Sequence, residues 1–192
     1  MFDNHVKPNW DKRTVLDAED LVEAKKMYDS LKDREFHQYY NLFDVKRRDM
    51  NEVHWSELEG LTKVSETLGV KQMIGVPYFL LYYPGSFTRL HTDNDSGTTV
   101  VTLIESSDDL IGGETLIMDT YGPRPRAGHK EAKRHEQETG TPPYGSDIIP
   151  RVVPMERGES LVYGPDLNHG VAQVDQGTRL VLITWWKERC LN

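Results

Sequence analysis

The chain has one cysteine, Cys190. No intrachain disulfide can form, so the fold does not depend on an oxidising compartment. Long apolar runs are missing. The longest, residues 74–83, is broken by Gly75 and Pro77 and is about half the roughly twenty residues that a membrane-spanning helix needs. The stretch MFDNHVKPNWDKR has no apolar core and no small-residue cleavage site of the kind a secretory signal carries. These absences predict a soluble, cytoplasmic protein with no membrane association. Positive charge is also scarce: 23 Lys and Arg stand against 31 Asp and Glu, for a net charge of −8. That balance argues against a general nucleic-acid binder, which needs a basic face to neutralise phosphates. Hydrophobic residues make up only 37% of the sequence, but 4 Trp, 9 Tyr and 5 Phe still supply bulky apolar surface for a core. No internal repeat is visible, and 192 residues suit a single domain.

The pattern changes along the chain. Residues 1–70 read as supporting helices. Asp17 can cap a segment in which Leu21, Ala24, Met27/Tyr28 and Leu31 recur at helical steps. A second segment begins near Asn51 and carries Trp55, Leu58, Leu61 and Leu68, with Gly69 suited to its C-terminal cap. Residues 34–49 between them are aromatic and charged without a clear period. From residue 75 to 187, short β-branched and aromatic runs alternate with turn residues: 76–83, 98–104, 114–118, 160–163, 169–174 and 178–186. Asp175, Gln176 and Gly177 would join the last two as a hairpin. The fold class expected is α+β, mainly β, with a sandwich or barrel core and the helices on one face of the sheet. Residues 121–157 interrupt the strands with six prolines and an inverted charge, seven Arg and Lys against five Asp and Glu. A connection this long is a functional lid or a solvated insertion.

His91 and Asp93 are two apart. On an extended strand they point to the same face, so an imidazole and a carboxylate can converge. His169 opens a later strand, and Arg179 follows it by ten residues. Alternation places Arg179, Val181, Ile183 and Trp185 on one face of that strand and Leu180, Leu182, Thr184 and Trp186 on the other. Both faces are apolar, so Arg179 is buried on either. A buried arginine calls for an anion. That anion is either an internal Asp or Glu or a carboxylate ligand held by the guanidinium. Two histidines and one carboxylate on a β-scaffold match the ligand set of a non-haem Fe(II) site with open positions. His5, His37, His54, His129 and His135 read as solvated, and Glu114 as a strand-edge residue.

The stretch Tyr82-Tyr83-Pro84-Gly85-Ser86-Phe87-Thr88-Arg89-Leu90-His91-Thr92-Asp93 resembles the Tyr-x-Pro-Gly-x-Phe…His-x-Asp segment of the Fe(II)/2-oxoglutarate dioxygenases of prolyl 4-hydroxylase type. So do residues 110–115 (LIGGET), 158–162 (GESLV) and Asn168-His169-Gly170-Val171, followed by Gly177-Thr178-Arg179 and Trp185. The resemblance covers residues 76–186. It implies a double-stranded β-helix, or jelly roll, of cupin-like form, with His91, Asp93 and His169 as iron ligands. It also implies that Arg179 grips the distal carboxylate of 2-oxoglutarate and that Tyr82 hydrogen-bonds it, with Tyr83 as the alternative. Arg179 stands where prolyl 4-hydroxylases commonly have Lys, and matches the wider superfamily. Thr88 stands where they often have a second Tyr. The implied activity is O2-dependent hydroxylation of a peptidyl side chain or small molecule, releasing succinate and CO2, with ascorbate as a candidate reductant. Oxidative demethylation of nucleic acid and a non-catalytic metal-binding β-domain are the alternatives. The primary substrate and the oligomeric state are not legible in the sequence.

Overall fold

Asp17 starts the first helix as expected. Its carboxylate accepts from the backbone N–H groups of Glu19 and Asp20, and Asp20 returns the bond to the N–H of Asp17, a reciprocal capping box. The helix, α1 (Ala18–Ser30), turns Leu21, Ala24 and Tyr28 inward. A one-turn α2 (Glu52–Ser56) precedes α3 (Glu59–Leu68), which buries Leu61, Val64 and Leu68 and ends at Gly69 in the left-handed conformation (φ 65°). The computed structural model describes residues 10–39, 42–69, 72–93, 97–120, 148–165 and 167–187. No helix among them is long and apolar enough to cross a membrane.

The N-terminal part is less helical than its sequence suggests. It also contributes β1 (Trp10–Thr14), β2 (Glu35–Gln38), β3 (Leu42–Phe43) and β4 (Val45–Asp49). Strands β1 and β2 lie at the two edges of their sheet. An edge tolerates the polar, unperiodic sequences WDKRT and EFHQ that hid them.

The remaining strands are β5 (Met73–Tyr82), β6 (Phe87–His91), β7 (Thr98–Ser106), β8 (Ile111–Gly112), β9 (Thr115–Thr120), β10 (Ile148–Val153), β11 (Glu159–Tyr163), β12 (Asn168–Val171), β13 (Val174–Gln176) and β14 (Arg179–Trp186). They build a seven-stranded sheet in the order β1-β11-β7-β14-β5-β4-β2 and a five-stranded sheet in the order β10-β9-β12-β6-β3. All pairings are antiparallel. Of the span assigned to an excursion, residues 148–153 are therefore sheet, paired along β9. Residues 121–147 lie outside the described residues.

Both faces of the large sheet are buried. On its outer face, Phe79, Val100, Ile104, Val162, Leu180, Leu182 and Trp186 pack with the apolar sides of α1 and α3. On its inner face, Tyr78, Leu80, Tyr82, Val101, Val181 and Ile183 pack with Ile117 and Val153 of the small sheet. This is the two-sided alternation expected for β14.

The expected hairpin at residues 175–177 does not form. Strand β12 belongs to the small sheet and β14 to the large one, and β13 pairs with β8 instead. The intervening residues cross from one sheet to the other. They are pinned by bonds from Gly85 N–H to Val174 O (2.8 Å), Val174 N–H to Ser86 O (2.9 Å) and Gly113 N–H to Gln173 O (3.1 Å). Gly112 makes the crossing possible. Its φ is 79°, and a Cβ there would lie 2.1 Å from the Gln173 carbonyl oxygen. Gly112→Ala is expected to destabilise the protein by about 2 kcal/mol or more, read as a lowered thermal midpoint.

Candidate active site

Strand pairing brings the two histidines together. His169 on β12 is the direct cross-strand partner of His91 on β6, and their rings are 4.4 Å apart. Strand β6 ends at His91, so Asp93 lies two residues past it, outside the strand that was expected to carry both residues. Its Oδ1 lies 3.4 Å from His91 Nε2 and its Oδ2 3.7 Å from His169 Nε2. One ligand atom from each of the three residues falls within 4.8 Å of the others.

Backbone carbonyls fix the tautomers. His91 Nδ1 bonds to Arg89 O at 2.8 Å, and His169 Nδ1 to Leu167 O at 2.9 Å. A carbonyl only accepts, so each Nδ1 carries the proton and each neutral ring turns an Nε2 lone pair toward the cluster. Thr99 Oγ1 donates to Asp93 Oδ2 at 2.7 Å and orients the carboxylate. Three electron-rich atoms then face one another and require a cation between them, a proton or a metal ion. Burial opposes protonation of His91, but the hydrogen bond and charge of Asp93 outweigh it and raise its pKa. His169 is more deeply buried and its pKa is lowered. Burial pushes Asp93 up, but its contacts with His91, His169 and Thr99 bring its pKa below the ordinary carboxylate value. The donor set fits a divalent ion that keeps open positions.

Arg179 is 3% exposed. Its Nη2 donates to Thr115 Oγ1 at 2.8 Å. Its Nη1 is buried with no hydrogen-bond partner, and no ion pair holds the guanidinium among the described residues. The internal salt bridge allowed by the sequence is absent among them. Burial lowers the pKa of Arg179 despite the opposing fields of Tyr82, Tyr163 and Glu114. Tyr82 is its cross-strand partner on β5, with the guanidinium 5.6 Å from the ring centre and the hydroxyl 2.7 Å from Thr88 Oγ1. Tyr83 sits on the other face of the chain, beside His37 and under Lys46. Of the two tyrosines, Tyr82 faces the interior.

These residues share one cavity of about 390 Å3 between the sheets, lined by His91, Asp93, His169, Arg179 and Tyr82. Arg47, Tyr78, Tyr163 and Trp185 also line it. Tyr78 could have been found by its two-residue steps to Leu80 and Tyr82. Arg47 lies in the stretch with no period and gave no signal. His37 pairs with Asp44 and His54 with Asn51, away from the cavity. Glu114 is exposed. His5, His129 and His135 lie outside the described residues.

No protein-family model matches the chain, and no curated protein matches it. Solved structures do. The fold is that of the 2-oxoglutarate/Fe(II) oxygenases. A prolyl 4-hydroxylase from Pseudomonas putida superposes over 95% of this chain and 94% of its own, with a TM-score of 0.61 and 16% identity. A 2OG-Fe(II) oxygenase family protein from Burkholderia pseudomallei covers 93% and 85%, with a TM-score of 0.65 and 16% identity. HygX from Streptomyces hygroscopicus, solved with nickel, 2-oxoglutarate and hygromycin B, covers 95% and 84%, with a TM-score of 0.58 and 12% identity.

Proposed function

We propose that this chain is a 2-oxoglutarate- and O2-dependent hydroxylase of prolyl 4-hydroxylase-like type, acting on a peptidyl side chain or small molecule. The two antiparallel sheets would correspond to the double-stranded β-helix of that class. His91, Asp93 and His169 would hold Fe(II). When bound there, the iron keeps positions open for 2-oxoglutarate and O2 and supplies the oxidising chemistry that releases succinate and CO2. Ascorbate would serve as reductant.

One observation carries this reading. A buried guanidinium with a free Nη1 lines the same cavity as a His-Asp-His cluster whose ligand atoms could hold a metal ion. An anion with one end for a metal and a carboxylate at the other meets both needs, as 2-oxoglutarate does. Arg179 would grip the distal carboxylate, Thr115 would hold the guanidinium, and Tyr82 would close the side of the pocket. The apolar walls from Val181 and Ile183 keep water from the reacting atoms. The net charge of −8 favours peptides or small molecules over nucleic acid.

The test is anaerobic addition of Fe(II) and 2-oxoglutarate, which is expected to give a visible metal-to-ligand charge-transfer band, followed by succinate release on admission of air. Absence of the band together with tight zinc binding would sink the oxygenase reading. Succinate release stimulated by oligonucleotides but not by peptides would move the substrate to nucleic acid.

A further inference from the structure

The cavity has a second polar end that 2-oxoglutarate would not use. On β14 the inward side chains run from Arg179 through Val181 and Ile183 to Trp185, six residues along or about 20 Å. Register places the metal-binding cluster near the Trp185 end. Trp185 is the cross-strand partner of Thr99, the residue that holds Asp93. Arg179 is instead opposite Tyr82. The cluster therefore separates a cosubstrate end from a second end built by Trp185, Tyr78 and Arg47, all of which line the cavity.

This second end offers hydrogen-bond donors. The indole Nε1–H of Trp185 is buried with no partner, although a buried indole N–H ordinarily has one. The ring packs edge-on against Tyr78, 5.2 Å between centres. Arg47 lies over the other partner of that contact, its Cζ 3.7 Å from the Tyr78 ring centre. Its Nε donates to Asp49 and its Nη1 to Gln38 Oε1 at 3.0 Å. These bonds occupy the acceptors beside it and hold the guanidinium in place, while Nη2 has no hydrogen-bond partner among the described residues. A rigid cation and an orphaned N–H on one aromatic wall recognise an oxygen acceptor.

We propose that Trp185 and Arg47 anchor a carbonyl or carboxylate oxygen of the primary substrate, so that the oxidised carbon belongs to an amino-acid-type unit, either free or in a peptide. This rests on the oxygenase reading, because it takes the Arg179 end as filled by 2-oxoglutarate. Tyr78 is the platform that fixes both donors.

The test is 1H–15N spectroscopy of the full chain with Zn(II) and 2-oxoglutarate, titrated with a panel of N-acetyl amino acids and their methylamides. The Trp185 indole signal, assigned by its loss in Trp185→Phe, is expected to move with members of one series. A response to the acids marks a free carboxylate, and a response to the methylamides marks a peptide carbonyl. Arg47→Ala is expected to weaken the responding probe at least tenfold and leave 2-oxoglutarate affinity unchanged. An indole signal that no panel member moves, or a probe that Arg47→Ala binds as tightly as the parent, overturns the subsite. Failure of the parent protein to bind 2-oxoglutarate overturns the oxygenase reading itself, and the subsite with it.

Discussion

Arg179→Ala is expected to weaken 2-oxoglutarate binding by about a hundredfold or more while Fe(II) affinity stays within about twofold. Truncating one partner of a buried, hydrogen-bonded charge pair costs about 2–5 kcal/mol, and about 2.7 kcal/mol corresponds to a hundredfold. Among the described residues no substitute is at hand: Arg47, the other Lys or Arg lining the cavity among them, lies toward the Trp185 end. Iron affinity is spared because Arg179 bonds to Thr115 and touches none of the three clustered residues among the contacts described. The ligand-free variant is also informative. Arg179 is desolvated, with Nη1 unsatisfied, so its removal relieves a charge burial that no ion pair offsets among the described residues. Its thermal midpoint is expected to change little. Calorimetric titration of 2-oxoglutarate and of Fe(II), with a melting curve of the apoprotein, checks all three statements. Equal loss of both affinities, or a large drop in stability, would make the arginine structural.

Asp93→Asn is expected to lower Fe(II) affinity by at least a hundredfold and to shift the titration of His91 downward. The substitution keeps the shape of the side chain and an oxygen for Thr99 Oγ1, but removes the only anion in the cluster. For His91, burial favours the neutral form, and the bond and charge of Asp93 reverse that preference. Without the charge, burial dominates and the imidazole titrates below its ordinary value of 6.5. The sign for metal binding follows. In the parent protein the ion must displace a proton from His91, so affinity falls as pH drops through the raised pKa of that residue. Metal titration over a pH series and histidine proton NMR of the apoprotein measure the two effects. A His91 titration that stays above 6.5 in the variant would show that the Arg89 carbonyl, not Asp93, sustains it.

Much of this arrangement was legible because strands alternate. Once β14 is recognised, Arg179, Val181, Ile183 and Trp185 must share a face, and the cavity wall follows. The same rule applied to β5 separates Tyr82 from Tyr83, but only after another residue on that strand is known to face inward. The sequence could not provide that parity. Nor could it show that His169 would lie opposite His91, since register between strands so far apart in the chain is set by the whole sheet. The missed elements have physical reasons of their own. Strands β2 and β4 are rich in charge because they pair with each other near an edge, where Arg48 is buried against Glu35 and Tyr28 rather than in an apolar layer. The false hairpin arose because Asp175, Gln176 and Gly177 carry turn chemistry that also serves a crossing between sheets. What decides between the two is Gly112, far away in sequence and admitting the backbone of Gln173 at a distance no side chain permits.

The pairing of His91 with His169 would make a metal bound there, as proposed, a determinant of the protein's lifetime. An ion held by both residues ties β6 to β12 across a long loop of chain, which no disulfide can do in a sequence with one cysteine. Such a cross-link removes conformational freedom from the unfolded chain and adds its binding energy to the native one. Iron supply would then set the abundance of the protein as well as its turnover, because chains that lose the metal open more often and present themselves to proteases.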